Sequence, residues 1–196
     1  MIDILLAGVG GQGTVLAAKV LAQAAQNKGW QVRTAETIGM AQRGGCVVSH
    51  VRMGEDIASP MIPKGGADVL IGFEPAEAVR CLPYLKPDGL VVVNTKAVQP
   101  VTATLTGAGY DGAAMLDALT RQVARLLLVD GEAVCRLCGS SKVLNVALLG
   151  AAVGSRQTDL TLEEVEAALR QRLPERFQKI NGKALREGAA AGGKAR

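Results

Sequence analysis

The chain has 196 residues, a formal net charge of +4, and 48% hydrophobic but only 3% aromatic residues. This length allows one well-buried domain, is short for two, and requires an aliphatic core. The basic residues are scattered, with their densest cluster in residues 170–196, whereas a nucleic-acid-binding face needs clustered positive charge. We therefore expect no nucleic-acid partner, while a small anionic ligand remains compatible with the charge.

The first residues argue against a secretory or membrane segment. The start MIDILLAG carries an acid at Asp3, has no basic n-region, and has an apolar run too short for either segment. We expect a cytoplasmic protein without membrane association, whose four cysteines are reduced thiols rather than a disulfide framework.

The elements predicted along the chain alternate between apolar strands and amphipathic helices. Residues 2–8 are predicted as a buried strand and 14–28 as a helix capped by Gly29, followed by a strand at 30–36. This βαβ unit should be parallel and right-handed. The later elements are predicted, in chain order, as a strand with one wet side at 46–54, a strand at 67–73, a helix at 74–85 closed by a Pro-Asp-Gly turn, a strand at 90–95, a helix at 113–125, a strand at 126–130, a helix at 142–153, and a helix from the Thr161 capping box to near Pro174.

This alternation predicts an α/β fold, Rossmann-like, with a mostly parallel sheet and helices on both faces. We expect one domain over residues 1–187. Residues 188–196 are expected to be a flexible tail, because their glycines and alanines offer no bulk to anchor them.

A glycine-rich turn follows the first predicted strand directly. Gly8, Gly10 and Gly13 satisfy GxGxxG between a strand and a helix, the context in which this motif binds phosphates. Glycines let the backbone approach an anion, while a helix N-terminus offers amide hydrogens and partial positive charge. The alternative is a tight turn with no ligand. An NAD site would also need an acid about 20 residues further on, and Glu36 fits that spacing.

A second glycine-rich loop, residues 37–45, carries Arg43 beside Gly44 and Gly45. Its guanidinium could form bidentate hydrogen bonds with a carboxylate or phosphate. Alternatively, Arg43 is an ordinary surface arginine. If the strands before the two loops are adjacent and parallel, both loops lie at the carboxyl edge of the sheet, where α/β proteins bind ligands.

The remaining reactive side chains give weaker signals. Cys135 and Cys138 form one CxxC, which supplies two of the four ligands that zinc or an iron-sulfur cluster needs, so we expect no metal site. The single histidine, His50, has no nearby nucleophile, and neither a GxSxG nor a Walker sequence occurs. We expect His50 to be a structural strand residue.

Several motifs in order carry a family resemblance: GVGGQGT, GMAQRGG followed by VVSHVR, SPMIP, ADVLIGFEPAEAVRCLPYLKPDGLVVVNT, NVALLGA and KINGKALREG. Over residues 2–187 the chain resembles the γ domain of the 2-oxoacid:ferredoxin oxidoreductases, especially the small-subunit branch that acts on indolepyruvate. The resemblance implies an enzyme subunit without catalytic residues of its own. Its partner would be a large subunit holding thiamine diphosphate and iron-sulfur clusters, and the complex would convert arylpyruvates, coenzyme A (CoA) and oxidised ferredoxin to acyl-CoA, carbon dioxide and reduced ferredoxin.

The resemblance also associates this domain with CoA and places either CoA phosphates or the partner subunit at the two loops. The expected binding residues are Gly8, Gly10, Gly11, Gln12, Gly13 and Thr14 on the first loop and Met40, Ala41, Gln42, Arg43, Gly44 and Gly45 on the second. Two departures stand out: Gly39 to Gln42 replaces the Tyr-Gly-Pro-Glu of the pyruvate and oxoglutarate branches, and CRLC with GSSK replaces a plain helix and loop. Two alternatives stay open, a self-contained NAD(P) oxidoreductase using Glu36 and an interaction module without ligand. The isolated subunit could also form a homodimer.

Overall fold

The computed structural model describes residues 1–38, 45–98 and 110–192. The strands are β1 (Ile2–Val9), β2 (Gln31–Ile38), β3 (Cys46–Gly54), β4 (Ala67–Gly72), β5 (Leu85–Asn94) and β6 (Arg125–Val129). The helices are α1 (Thr14–Asn27), α2 (Pro75–Cys81), α3 (Gly112–Gln122), α4 (Gly131–Cys138), α5 (Leu144–Gly154), α6 (Leu162–Arg172) and α7 (Glu175–Gly192), with 3₁₀ turns at Leu82–Tyr84 and Ser141–Val143. No helix in these ranges is both long and apolar enough to cross a membrane.

The strands form one sheet in the order β2-β3-β1-β4-β5-β6. β1 pairs with β4, β4 with β5 and β5 with β6 in parallel, while β3 runs antiparallel to both of its neighbours. One face packs under α1, α5, α6 and α7, and the other under α2 and α3. The predicted Rossmann-like, mostly parallel sheet with helices on both faces is confirmed.

The first strands are parallel as predicted, but they differ from the expected arrangement in two respects. β2 is parallel to β1 but not beside it, because the antiparallel β3 lies between them: Leu6 pairs with Ser49, and Ser49 with Glu36. The predicted wet side of β3 is also covered. Arg52 on that side donates to Asp3 Oδ1 at 2.9 Å and to the Ser59 carbonyl at 3.1 Å, because the segment after β3 folds back across it.

The helix predicted over residues 74–85 is shorter than expected. α2 ends at Cys81, and a 3₁₀ turn containing Pro83 leads directly into β5. Proline has no amide hydrogen to continue a helix. The Pro-Asp-Gly sequence therefore lies within β5, where the register with β4 shifts between Ala67 and Val69.

The prediction of a flexible tail from residue 188 is wrong for residues 188–192. α7 runs to Gly192, and Gly188 and Gly192 are buried against α5. A Cβ on Gly188 would lie 1.9 Å from the Ala147 carbonyl oxygen, and one on Gly192 2.2 Å from that of Ala151. The small residues that suggested disorder are what allow two helix backbones to touch. Residues 193–196 lie outside the described ranges.

His50 is a structural residue on β3, as its sequence context predicted. It is 2% exposed, its Nδ1 accepts the Ile62 amide hydrogen at 3.2 Å, and the Tyr84 ring stands edge-on at 5.8 Å. The accepting nitrogen must be unprotonated, and burial lowers the pKa of His50 below its ordinary 6.5.

We expect acid to destabilise the fold through His50. The unfolded chain takes up a proton at this histidine near the ordinary pKa, whereas the folded chain does so only at lower pH. The stability that neutral His50 contributes is therefore complete above about pH 6.5 and falls as pH drops toward the lowered pKa. Urea unfolding between about pH 7 and pH 5 should show this loss. His50→Asn keeps an acceptor but cannot titrate, and should flatten the pH dependence; an unchanged slope would contradict the assignment.

Candidate functional site

The carboxyl ends of the parallel strands meet at one edge of the sheet, which we call the ligand edge. From β1 the chain moves to one side to form β2 and β3, and then returns to the other side for β4, β5 and β6. The order therefore reverses between β1 and β4. In open α/β sheets, ligands bind in the crevice at such a reversal.

The predicted glycine turn lies at this crevice, between β1 and α1. Gly11 and Gly13 have φ angles of 96° and 82°, the left-handed conformation that glycine adopts without strain. Gly13 is the N-cap of α1, and no side chain among the described residues caps this helix. The amides of its first turn are therefore left for solvent or an anion.

Gln12 spans the crevice with its side chain rather than facing out of it. Its Oε1 accepts the Val9 amide hydrogen at 2.8 Å, and its Nε2 donates to the Phe73 carbonyl, just beyond β4, at 3.2 Å. Gly8 makes room for this contact, since a Cβ there would lie 2.7 Å from Gln12 Oε1 and 2.8 Å from Phe73 Cβ. Both residues, expected to contact a ligand, shape the turn from inside.

Asn145, at the start of α5, closes the other side of the glycine turn. Its Nδ2 donates to the Gly13 carbonyl at 3.3 Å, while its Oδ1 accepts the Val146 amide hydrogen at 3.0 Å. Thr14, the first residue of α1, is buried here as well. Asn145 was missed from the sequence because its partner is 132 positions away, although it lies within the NVALLGA motif.

The second loop reaches the glycine turn through β3. Because β3 is antiparallel to β1 and Cys46 lies opposite Val9, Gly45 is beside the turn. The Gly10 amide donates to the Gly45 carbonyl at 2.8 Å. The other predicted residues of this loop, Met40, Ala41, Gln42, Arg43 and Gly44, lie outside the described ranges.

Glu74, which sequence reasoning did not single out, is a buried carboxylate at the end of β4. It caps α2 through Oε2, accepting the amide hydrogens of Ala76 at 2.8 Å and Glu77 at 3.2 Å. Its Oε1 accepts the Val98 amide hydrogen at 3.4 Å and the Tyr110 hydroxyl. Burial, and then this bond to Glu74, raises the pKa of Tyr110. The phenol therefore stays protonated and acts as a donor.

Asn94 adds a second buried carboxamide at the end of β5. Its Nδ2 donates to the carbonyls of Phe73 and Lys96, both at 3.3 Å. The Phe73 carbonyl thus receives side-chain donors from the residues after β1 and at the end of β5. Asn94 Oδ1 has no hydrogen-bond partner in the described structure.

Beside Gly45, the Cys46 thiol contacts Arg80 of α2, which also pairs with Glu77. Burial, followed by the bond with Glu77, raises the pKa of Cys46. The thiol is therefore held in its neutral form, so Cys46 is not an activated nucleophile. Among the described residues, no group of three or more His, Cys, Asp and Glu side chains is placed to hold a metal ion.

The sheet order disfavours the role that an NAD site would give to Glu36. Glu36 is level with Leu6, before the carboxyl end of β1, and β3 separates the two strands. Two strand spacings amount to about 10 Å, whereas a dinucleotide fold places the acidic strand directly beside β1.

The fold and the ligand edge of the sheet together define an α/β domain of the Rossmann-like class. At its sheet reversal it has a glycine turn followed by a helix that no described side chain caps. A sequence model of the family described as Pyruvate ferredoxin/flavodoxin oxidoreductase matches residues 3–191. The chain belongs to this oxidoreductase family, which confirms the resemblance found in its motifs.

Two groups of curated relatives match nearly the whole chain. Indolepyruvate oxidoreductase subunit IorB of Archaeoglobus fulgidus is 38% identical over 188 residues, 95% of this chain and 93% of that protein. The common gamma subunit of the pyruvate/ketoisovalerate oxidoreductases of Pyrococcus abyssi is 31% identical over 190 residues, 95% of each. Both relatives are named as subunits of 2-oxoacid oxidoreductases.

Solved structures share the fold. The gamma subunit of a keto/oxoacid ferredoxin oxidoreductase from Geobacter sulfurreducens aligns over 98% of both chains, with a TM-score of 0.71 and 24% identity. The 2-oxoglutarate:ferredoxin oxidoreductase of Magnetococcus marinus, solved with 2-oxoglutarate, CoA and succinyl-CoA, aligns over 98% of this chain but 31% of its own, with a TM-score of 0.75 and 18% identity.

Proposed function

We propose that the chain is the small subunit of an oxidoreductase that acts on indolepyruvate and related arylpyruvates. The complex decarboxylates the 2-oxoacid oxidatively and transfers the acyl group to CoA, while oxidised ferredoxin accepts the electrons. The assignment to the indolepyruvate group of the family is supported by sequence identity. The chain is 38% identical to an indolepyruvate oxidoreductase subunit and 31% identical to a pyruvate/ketoisovalerate subunit. The sequence Gly39 to Gln42 before Arg43 favours the same branch.

The chemistry on the oxoacid is assigned to a larger partner subunit in the cytoplasm. That subunit supplies thiamine diphosphate, which stabilises the carbanion left by decarboxylation, and the iron-sulfur clusters that carry electrons to ferredoxin. We assign no catalytic residue to the present chain. Its part is to bind and orient CoA beside the partner.

CoA phosphates fit the glycine turn on physical grounds. No described side chain caps the α1 N-terminus, no described atom lies within 4 Å of a Cβ added to Gly11, and Gly13 is left-handed. The bond from Gly10 to Gly45 brings the last residue of the second loop to the same place. The α1 N-terminus at the sheet reversal, which no side chain in the described ranges caps, is the observation that carries this proposal, and an enzyme solved with CoA contains this fold in 31% of its chain.

Calorimetric titration of CoA and of NADH tests the proposal, first with the isolated chain and then with the complex co-purified with its large subunit. We expect saturable CoA binding that Arg43→Ala weakens about tenfold or more, because a two-pronged charged contact is lost. Arg121→Ala is the control, since Arg121 lies on the exposed face of α3 and, among the residues that the structure describes, pairs with Asp117 alone. It should leave CoA affinity unchanged.

The outcomes separate the alternatives. NADH binding without CoA binding would favour the self-contained dinucleotide enzyme. If neither ligand binds the complex, the loops are an interaction surface without a ligand, and the CoA assignment is wrong. The mass of the isolated chain in solution tests the homodimer separately; a clean monomer would exclude it.

A further inference from the structure

Cys135 and Cys138 occupy the last turn of α4, three positions apart on one helix. Residues at this spacing are neighbours, with Cβ atoms about 5–6 Å apart. A disulfide needs Cβ atoms about 3.5–4.5 Å apart, so a small unwinding of the last turn would let the sulfurs bond. Both side chains are partly exposed and both thiols are free.

The end of α4 is closed by cap bonds that unwinding of the last turn has to rearrange. The left-handed Gly139 donates to the Arg136 carbonyl, and Ser140 donates to the Cys135 carbonyl, both at 3.1 Å, which is the Schellman pattern of a helix end. The Cys135 thiol itself lies 3.8 Å from the Ser141 carbonyl and donates to it. Closing the disulfide therefore breaks the thiol bond to Ser141 and shifts the two backbone cap bonds.

The other two cysteines do not offer such a pair. Cys81 is buried, and burial raises its pKa to about 11. Cys46 contacts Arg80 instead of a second thiol. At the α4 pair, burial raises both thiol pKa values, and one lysine near each thiol, Lys96 for Cys135 and Lys183 for Cys138, lowers that pKa in part. Because the Cys135 thiol donates to the Ser141 carbonyl, Cys138 is the thiol that reacts first.

We propose that Cys135 and Cys138 form a modification site that closes reversibly to a disulfide on exposure to a peroxide. Hydrogen peroxide oxidises Cys138 to the sulfenic acid and releases one water. The Cys135 sulfur then attacks the Cys138 sulfur, and the hydroxyl leaves as a second water. Both thiol protons and two electrons pass to the peroxide, and an added dithiol reverses the change.

This closure has a route to the ligand edge. The disulfide removes the thiol bond to Ser141, at the start of the 3₁₀ turn Ser141–Val143, which continues directly into α5. Asn145 on the first turn of α5 holds the Gly13 carbonyl. Oxidation therefore loosens the glycine turn. Disulfide formation and the loosening of the turn do not depend on the proposed function. Only the inference that oxidation weakens CoA binding rests on it.

Trypsin gives a direct assay on the full-length protein, because Arg136 separates the two cysteines. Digestion without reductant yields residues 126–136 and 137–142 as separate peptides when the thiols are free, and as one linked species after closure. We expect peroxide to produce the linked species, faster at higher pH because more thiolate is present. Added dithiol should separate it again.

Hydrogen exchange of residues 10–15 tests the coupling, and we expect severalfold faster exchange after oxidation. Cys138→Ser should abolish both the linked species and this change, while Cys46→Ser should retain both. Absence of the linked species under peroxide that fully oxidises free glutathione, or linkage to Cys46 or Cys81 instead, overturns the site. Linkage with unchanged exchange of the turn overturns the coupling. Neither readout depends on CoA, so a failure here is distinct from a failure of the proposed function.

Discussion

Gly188→Val is expected to destabilise the folded chain by at least ~3 kcal/mol, because it overpacks a contact between two helix backbones. A Cβ on Gly188 would lie 1.9 Å from the Ala147 carbonyl oxygen, and on the facing helix a Cβ on Gly150 would lie 2.1 Å from that of Leu185. Backbone atoms cannot rotate away as a side chain can. α5 and α7 would have to separate, and the buried residues between them would lose their packing.

Gly182→Ala on the same helix is the matched control. A Cβ there would meet only the flexible ends of Glu166 and Arg186, at 3.3 Å and beyond. Alanine favours a helix interior over glycine by about 1 kcal/mol, so this variant should be neutral or slightly stabilised. Urea unfolding followed by circular dichroism measures both. Equal stability of Gly188→Val and the wild type would show that the two helices do not pack as described.

Gly13→Ala is expected to weaken CoA binding about tenfold or more, which corresponds to about 1.4 kcal/mol. Gly13 has a φ of 82°, and its added Cβ would lie 2.6 Å from Asn145 Nδ2. The substitution therefore strains the turn and pushes away the side chain that holds it. The first-turn amides of α1 would no longer converge on one anion.

Gly29→Ala separates this effect from backbone strain alone. Gly29 follows the other end of α1, with a φ of 85° and nothing within 4 Å of an added Cβ. Gly29→Ala should lower the free energy of unfolding by about 1 kcal/mol, because a residue with a Cβ is strained in the left-handed conformation. It should leave CoA affinity unchanged. Calorimetry on both variants is the measurement. If both variants lost the same CoA affinity, the loss would be due to general backbone strain and not to a changed glycine turn.

The parts of the site that could be predicted are those encoded locally. A buried strand, three spaced glycines and an amphipathic helix are neighbours in sequence, so the turn and its uncapped helix followed from the pattern. The side-chain bonds of Gln12 could not be predicted for the opposite reason, since its Phe73 partner is 61 positions away. Its side chain looked free for a ligand only because strand neighbours cannot be read from local sequence.

The same limit explains the misplaced strand. The residues of β2 and β3 both have strand character, but the choice of which strand lies beside β1 depends on pairing across the sheet. The family motifs identified the domain without settling that order. Likewise, the glycines of α7 gave no local hint of a partner, because their contacts lie with α5.

The bonds that hold the glycine turn join segments that are far apart in sequence, so the turn is completed late in folding. Gly10 needs Gly45, Gln12 needs Phe73, and Gly13 needs Asn145. A nascent chain that has emerged only through β3 has the full glycine motif but lacks two of these three supports. If the turn binds CoA as proposed, its affinity should therefore develop only after the start of α5 has been synthesised and has docked.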